Sequence, residues 1–92
     1  MMSRRAVDVV IIGRVQGVFF RARTHEQAAR LGVAGWVANE PDGSVTGHFE
    51  GAAADVDALV EWCRSGPEYA RVDDVRVTES EPHGSRGFDV RG

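Results

Sequence analysis

Apolar and polar residues alternate along Ala6–Gly13, with Val7, Val9 and Ile11 on one parity and Asp8 on the other. A period of two in a stretch rich in β-branched residues predicts a strand. From Phe20 or Arg21 to Leu31 the period changes. Phe20, Thr24, Ala28 and Leu31 fall on one stripe of a helix, and Gly32 follows as its stop. Val33–Asn39 and Ser44–Glu50 read as two strands joined by Pro41-Asp42-Gly43, a composition suited to a tight turn. Ala53–Ser65 reads as a second helix. Val56, Leu59, Val60 and Cys63 form its apolar stripe. Asp55 and Asp57 sit in its first turn and Arg64 in its last, the arrangement the helix dipole favours. Gly66-Pro67 ends it. Val72–Ser80 reads as a strand with Val75 and Val77 opposite in parity to Asp74 and Arg76. A polar loop with Pro82 and Gly84 follows, after which Phe88-Asp89-Val90 could form a short final strand.

The resulting order, β-α-β-β-α-β, places the chain in the α+β class. It predicts a ferredoxin-like sandwich: a four-stranded antiparallel sheet with both helices on one face. Right-handed crossovers then interleave the two βαβ units. With 92 residues, positions 1–92 make a single small domain. Such a fold hosts many functions and decides no chemistry by itself.

Charge narrows the function. The net charge is −3, with 11 basic residues against 14 acidic ones. Nucleic-acid affinity comes mainly from neutralising phosphates, so this balance disfavours a general polyanion binder. All of the basic residues are Arg, which points to biased base composition in the source rather than to function. The single cysteine, Cys63, excludes an internal disulfide and fits a reducing, cytoplasmic setting. The apolar run after Arg4-Arg5 is broken by Asp8 and followed by Arg14, which fits a strand and not a signal peptide. No stretch approaches the ~20 apolar residues of a membrane span, so no membrane partner is expected. Monomer is the simplest oligomeric expectation.

Candidate chemistry sits between the first strand and the first helix, in GRVQGVFFR, residues 13–21. The first turn of a helix has N–H groups without internal partners. Gly17 lets the backbone curl so that successive N–H groups converge on one point. The helix dipole favours an anion there, and the Arg21 fork can reach back over the loop toward a phosphate. The loop could therefore hold one small anion. The alternative from spacing alone is an ordinary strand-to-helix turn with solvated arginines. There is no G-x-x-x-x-G-K-[ST] pattern, hence no nucleoside-triphosphate loop.

Residue for residue, GRVQGVFFR resembles the signature of the acylphosphatase family. GWVANEPDGSVTGHFEG resembles that family's second block, and GPEYARVDDVRV its G-P-x-x-A-x-V-x-x-V pattern. The three blocks span nearly the whole chain in family order. The resemblance implies a ferredoxin-like fold, in agreement with the independent reading. It also implies metal-independent hydrolysis of small-molecule acyl phosphates to a carboxylate and inorganic phosphate, with no cofactor. The loop amides of Gln16, Gly17, Val18, Phe19 and Phe20, with Arg21, are implied as phosphate ligands. Arg21 and Asn39 are implied as the catalytic pair, Asn39 positioning the attacking water. Val15 and Val18 are expected to pack beneath the loop. Parity places Asn39 on the strand face of Val33 and Val37. One departure stands beside it: Ala38 occupies a place where many family members carry Lys or Arg, so weaker steering of anionic substrates is expected.

Two competing functions remain at this stage. One is a binding module of the same fold without turnover, which would often lose Arg21 or Asn39. The other is an RNA-binding sheet, which would want a basic face and aromatic residues on the middle strands. Other chemistry-bearing residues read as structural. Cys63 lies on the apolar stripe of its helix. His25 reads as an exposed helix residue, with a base as the alternative. His48 is expected outward, and His83 in a loop. The three histidines and the carboxylates show no metal-ligand spacing. Trp36 and Trp62 are expected to pack, with Trp36 at the substrate's acyl group as the alternative. Arg23 is expected to add positive potential without touching phosphate.

Overall fold

The computed structural model describes residues 3–92. Its elements are β1 (Arg4–Arg14), α1 (Phe20–Leu31), β2 (Ala34–Asn39), β3 (Val45–Ala52), α2 (Ala53–Ser65), β4 (Arg71–Glu79) and β5 (Phe88–Arg91). Every expected element is present, and the bounds of α2 coincide with the sequence reading. The sheet runs β4-β1-β3-β2-β5. Pairings β1·β3, β1·β4 and β2·β3 are antiparallel. The expected four-stranded sheet gains a fifth strand: β5 pairs parallel with β2, Gly35 against Phe88 through Ala38 against Arg91. The short apolar-polar alternation at Phe88–Val90 is that strand.

Both helices cover one sheet face, and the core lies between. Val7, Val9 and Ile11 from β1 are at most 1% exposed and meet Phe49, Val37 and Val45. Leu59, Val56 and Cys63 come down from α2, and Phe20 and Ala28 from α1, all on the expected stripes. Thr24, on the same stripe, is fully buried and satisfies its hydroxyl by donating to the Phe20 carbonyl at 2.7 Å. The Phe20 and Trp62 rings pack with centroids 5.6 Å apart and join the two helices.

The opposite face differs from expectation at one residue. His48 alternates with Phe49 and faces away from the helices, yet it is 0% exposed. The reason is the β4–β5 connection, residues 80–87, which must travel from one sheet edge to the other and crosses over this face. The His83 ring stacks on His48, centroids 3.8 Å apart and 2° from parallel. Glu50, 4% exposed, accepts the main-chain N–H of His83 at 2.6 Å and that of Ser85. His48 Nδ1 lies 2.8 Å from Asp8 and its Nε2 3.2 Å from Glu50. Burial raises the Glu50 carboxyl, but the bonds from His83, His48 and Ser85 outweigh it and hold the group at about 2. The connection is thereby tied down, and β5 is delivered beside β2.

Candidate active site

The loop between β1 and α1 begins at a bulge. The β1·β4 register shifts between Ile12 and Gly13. Gly13 has φ 140°, and a Cβ there would lie 2.1 Å from the Arg71 carbonyl oxygen. Only glycine allows β4 so close at the point where β1 turns into the loop. Val15 and Val18, 1% and 6% exposed, anchor the loop from below as expected. Gly17 and Phe19 both take left-handed backbone, with φ of 73° and 65°. Phe19 is the one non-glycine residue with positive φ among the described residues, and it is the N-cap of α1. A left-handed non-glycine costs ~1–2 kcal/mol, strain of the kind found at binding sites.

The consequence is a set of unpaired donors. No side chain caps α1. The first amide to find an acceptor is that of Arg23, bonded to the Phe19 carbonyl at 3.0 Å. Among the described residues, the main-chain N–H groups from Gly17 to Ala22 find no acceptor. Six free donors at a curled loop and a helix N-terminus form an electropositive cup.

Beside it lies a cavity of about 280 Å³ lined by Val15, Gly17, Phe19, Phe20, Arg21, Ala22, Asn39 and Val90. Gly17, Phe19, Phe20, Arg21 and Asn39 are thus brought together, from two segments far apart in sequence. Asn39 arrives at the end of β2, two residues beyond the buried Val37 on the same face. Its side-chain Oδ1 is buried and has no hydrogen-bond partner among the described residues. A buried, unpaired amide oxygen costs on the order of 1–3 kcal/mol, so a ligand or water is its natural complement. Gln16 and Val18 do not line the cavity. The Val18 side chain enters the core, and Gln16 turns to the hairpin.

That turn of Gln16 was not legible in the sequence. Its side-chain amide donates to the carbonyls of Glu40 and Ser44 at 2.8 and 2.9 Å, tying the loop to the hairpin that carries Asn39. Arg21 is braced in a second unforeseen way: Nη1 donates to the Arg91 carbonyl of β5 at 2.8 Å. One N–H of the fork is spent on that anchor, and the others have no partner among the described residues. A main-chain carbonyl leaves no mark in side-chain chemistry, so only the pairing of β5 with β2 could have announced it.

The residues set aside behave as structural ones. Cys63 is fully buried, and burial pushes its thiol up to about 12 against a smaller opposing effect of Arg64. His25 packs edge-on to Phe88, 6.1 Å between centroids, away from the cavity. Trp36 is on the other sheet face under the Arg91 guanidinium, 4.9 Å from its ring centroid, so it does not border the cavity. Arg23 pairs with Glu26 at 3.0 Å. Among the described residues no group of three or more His, Cys, Asp or Glu side chains could hold a metal ion, and no helix is long and apolar enough to cross a membrane.

Fold and cavity together describe a small α+β protein whose strand-to-helix loop presents a row of unpaired N–H groups beside a cavity. The family model Acylphosphatase matches residues 7–90. The acylphosphatase of Rubrobacter xylanophilus is 58% identical over 89 residues, covering 95% of this chain and 80% of the relative. That of Nocardioides sp. is 53% identical over 88 residues, covering 96% and 89%. The solved acylphosphatase of Coxiella burnetii superimposes with a TM-score of 0.92 at 34% identity, over 96% of this chain and 93% of that one. The chain belongs to the acylphosphatase family. It is an enzyme that hydrolyses small-molecule acyl phosphates.

Proposed function

We propose that the enzyme works by direct attack of water on phosphorus, with Arg21 and the amides of Gln16–Phe20 holding the phosphoryl group and Asn39 aiming the water. The observation that carries this is the unpaired, buried Oδ1 of Asn39 beside the same cavity as the Arg21 fork and the free loop amides.

Phosphoryl transfer passes through a loose transition state with charge spread over the equatorial oxygens, so catalysis consists of positioning and charge stabilisation. The amides and guanidinium supply the second. Each charge-assisted bond contributes about 1.5–3 kcal/mol, and fixed donors pay no reorganisation during the reaction. Asn39 Oδ1 supplies the first: it accepts a hydrogen bond from the water and turns the water's lone pair toward phosphorus. The leaving carboxylate has a conjugate-acid pKa of ~4, so it departs without a general acid. An amide is no base, and the water's proton passes to a phosphoryl oxygen. These roles need no ligand beyond the substrate and water.

The test is hydrolysis of benzoyl phosphate in ¹⁸O-water, followed by mass spectrometry of both products. Attack at phosphorus puts the label in inorganic phosphate. Label in benzoate would mean attack at the carbonyl carbon and would overturn the roles given to Arg21 and Asn39.

A further inference from the structure

The loop amides and Arg21 meet only the phosphoryl end of the substrate; the acyl end must meet other groups. Three large hydrophobic side chains stay exposed among the described residues: Phe19 at 71%, Tyr69 at 71% and Val90 at 47%. Two of the three, Phe19 and Val90, line the 280 Å³ cavity. They reach it from different elements, Phe19 from the strained N-cap of α1 and Val90 from β5, one residue before its end. The strain at Phe19 matters, because a glycine would take φ 65° at lower cost and leave no side chain at the rim. Val15, Phe20 and Ala22 continue the apolar lining. Arg21 is the one cationic side chain lining the cavity among the described residues, and Arg23 nearby is committed to Glu26. The phosphoryl group takes the free N–H groups of Arg21, so no second cation is left for an anionic acyl group.

We infer that Phe19 and Val90 form an apolar shelf for the acyl group, making the enzyme selective for acyl phosphates with short, uncharged, hydrophobic acyl chains over those carrying a second anion. This rests on the placement of the phosphoryl group proposed above. Burial of acyl methylenes against the shelf follows the ordinary hydrophobic increment, about three- to fourfold in kcat/KM per methylene. A terminal carboxylate on the acyl chain would be desolvated there without a partner.

The experiment compares kcat/KM for acetyl, butyryl and succinyl phosphate, the last two near-isosteric and differing by the carboxylate. Inorganic phosphate serves as competitive inhibitor throughout. The wild type is expected to prefer butyryl over acetyl phosphate by about tenfold, and butyryl over succinyl phosphate by at least tenfold. Val90→Arg, on an exposed edge strand, is expected to cut the butyryl-to-succinyl ratio by tenfold or more. Phe19→Ala is expected to flatten the butyryl-to-acetyl ratio to about threefold or less. Each is a ratio of two substrates on one preparation, so partial misfolding of a variant cancels. If all three substrates turn over and phosphate competes, but the wild-type ratios lie near one, the shelf is wrong and the phosphate cup stands. If none is turned over and phosphate does not compete, both are overturned.

Discussion

Replacing Glu50 by Gln removes a buried carboxylate that lies on the face of the sheet away from the cavity. The folded chain holds this carboxyl at about 2, against an ordinary value of 4.5. At ~1.4 kcal/mol for each tenfold change, the ionised group contributes roughly 3 kcal/mol at neutral pH. That is a large share of the ~5–15 kcal/mol of a typical domain. The sign follows from the direction of the shift. Unfolding raises the affinity for the proton, so the contribution is complete above about pH 5 and is lost as pH falls through 4.5 toward 2. Glu50→Gln keeps one acceptor oxygen for the N–H of His83 or Ser85 but turns an NH₂ toward the other. Urea unfolding of both proteins from pH 7 to pH 3 reads the effect. His48, Asp8 and His83 face Glu50 directly or through His48 and are present in both chains. The expected gap is about 2–3 kcal/mol at pH 7, shrinking by roughly half at pH 3. A gap that stays constant within about 0.5 kcal/mol across that range would refute the assignment of this charge to the strap over His48.

Three further perturbations probe other parts of the account. Ala38 shares its sheet face with Trp36, opposite to Asn39, so Ala38→Arg can act on substrate only through long-range potential. It is expected to lower KM a few-fold at low ionic strength and not at 0.5 M salt, as steady-state kinetics would reveal. Gly17→Ala meets no atom within 4 Å but must hold φ 73°. A cost of ~1–2 kcal/mol should lower Tm by about 4–8 °C for each kcal/mol, measured by thermal unfolding; an unchanged Tm would remove the strained loop geometry. The Cys63 thiol, buried and pushed up to about 12, should not react with a disulfide reagent at pH 8 until guanidinium unfolds the chain. Rapid stoichiometric reaction of the native protein would contradict its burial.

How far the molecule was legible in its sequence follows from which interactions are local. The stripes Phe20-Thr24-Ala28 and Val56-Leu59-Val60-Cys63, and the turn Pro41-Asp42-Gly43, are set by residues within a few positions of one another. Period and turn chemistry therefore disclosed them. Asn39 could be placed on the face of Val37 by parity alone. Parity names a face, however, and not what covers it, which is why His48 was expected outward and is buried under residues 80–87. Those residues, Ser-Glu-Pro-His-Gly-Ser-Arg-Gly, carry no period to read, yet they offer two N–H groups to Glu50, one ring to His48 and main-chain bonds to Ala6 and Gly35. The parallel pairing of β5 with β2 is likewise beyond local signals, because the alternation of Phe88–Val90 names a strand and not its neighbour. The bracing of Arg21 by Arg91 depends on that pairing, and so does the place of Val90 at the cavity. In the loop itself, Gly17 announced a curled backbone. Phe19, a residue that disfavours positive φ, did not announce that it shares that geometry.

Arg21 and Asn39 divide the labour of catalysis, and kinetics of Arg21→Ala and Asn39→Ala with inorganic phosphate as competing ligand separate their parts. Asn39→Ala should bind phosphate within a few-fold of the wild type while kcat for benzoyl phosphate falls by about 10²–10³. Arg21→Ala should weaken phosphate binding itself by roughly ten- to a hundredfold, matching the loss of one charge-assisted contact. Wild-type kcat/KM in either variant, or loss of phosphate binding in Asn39→Ala with kcat intact, would contradict the account.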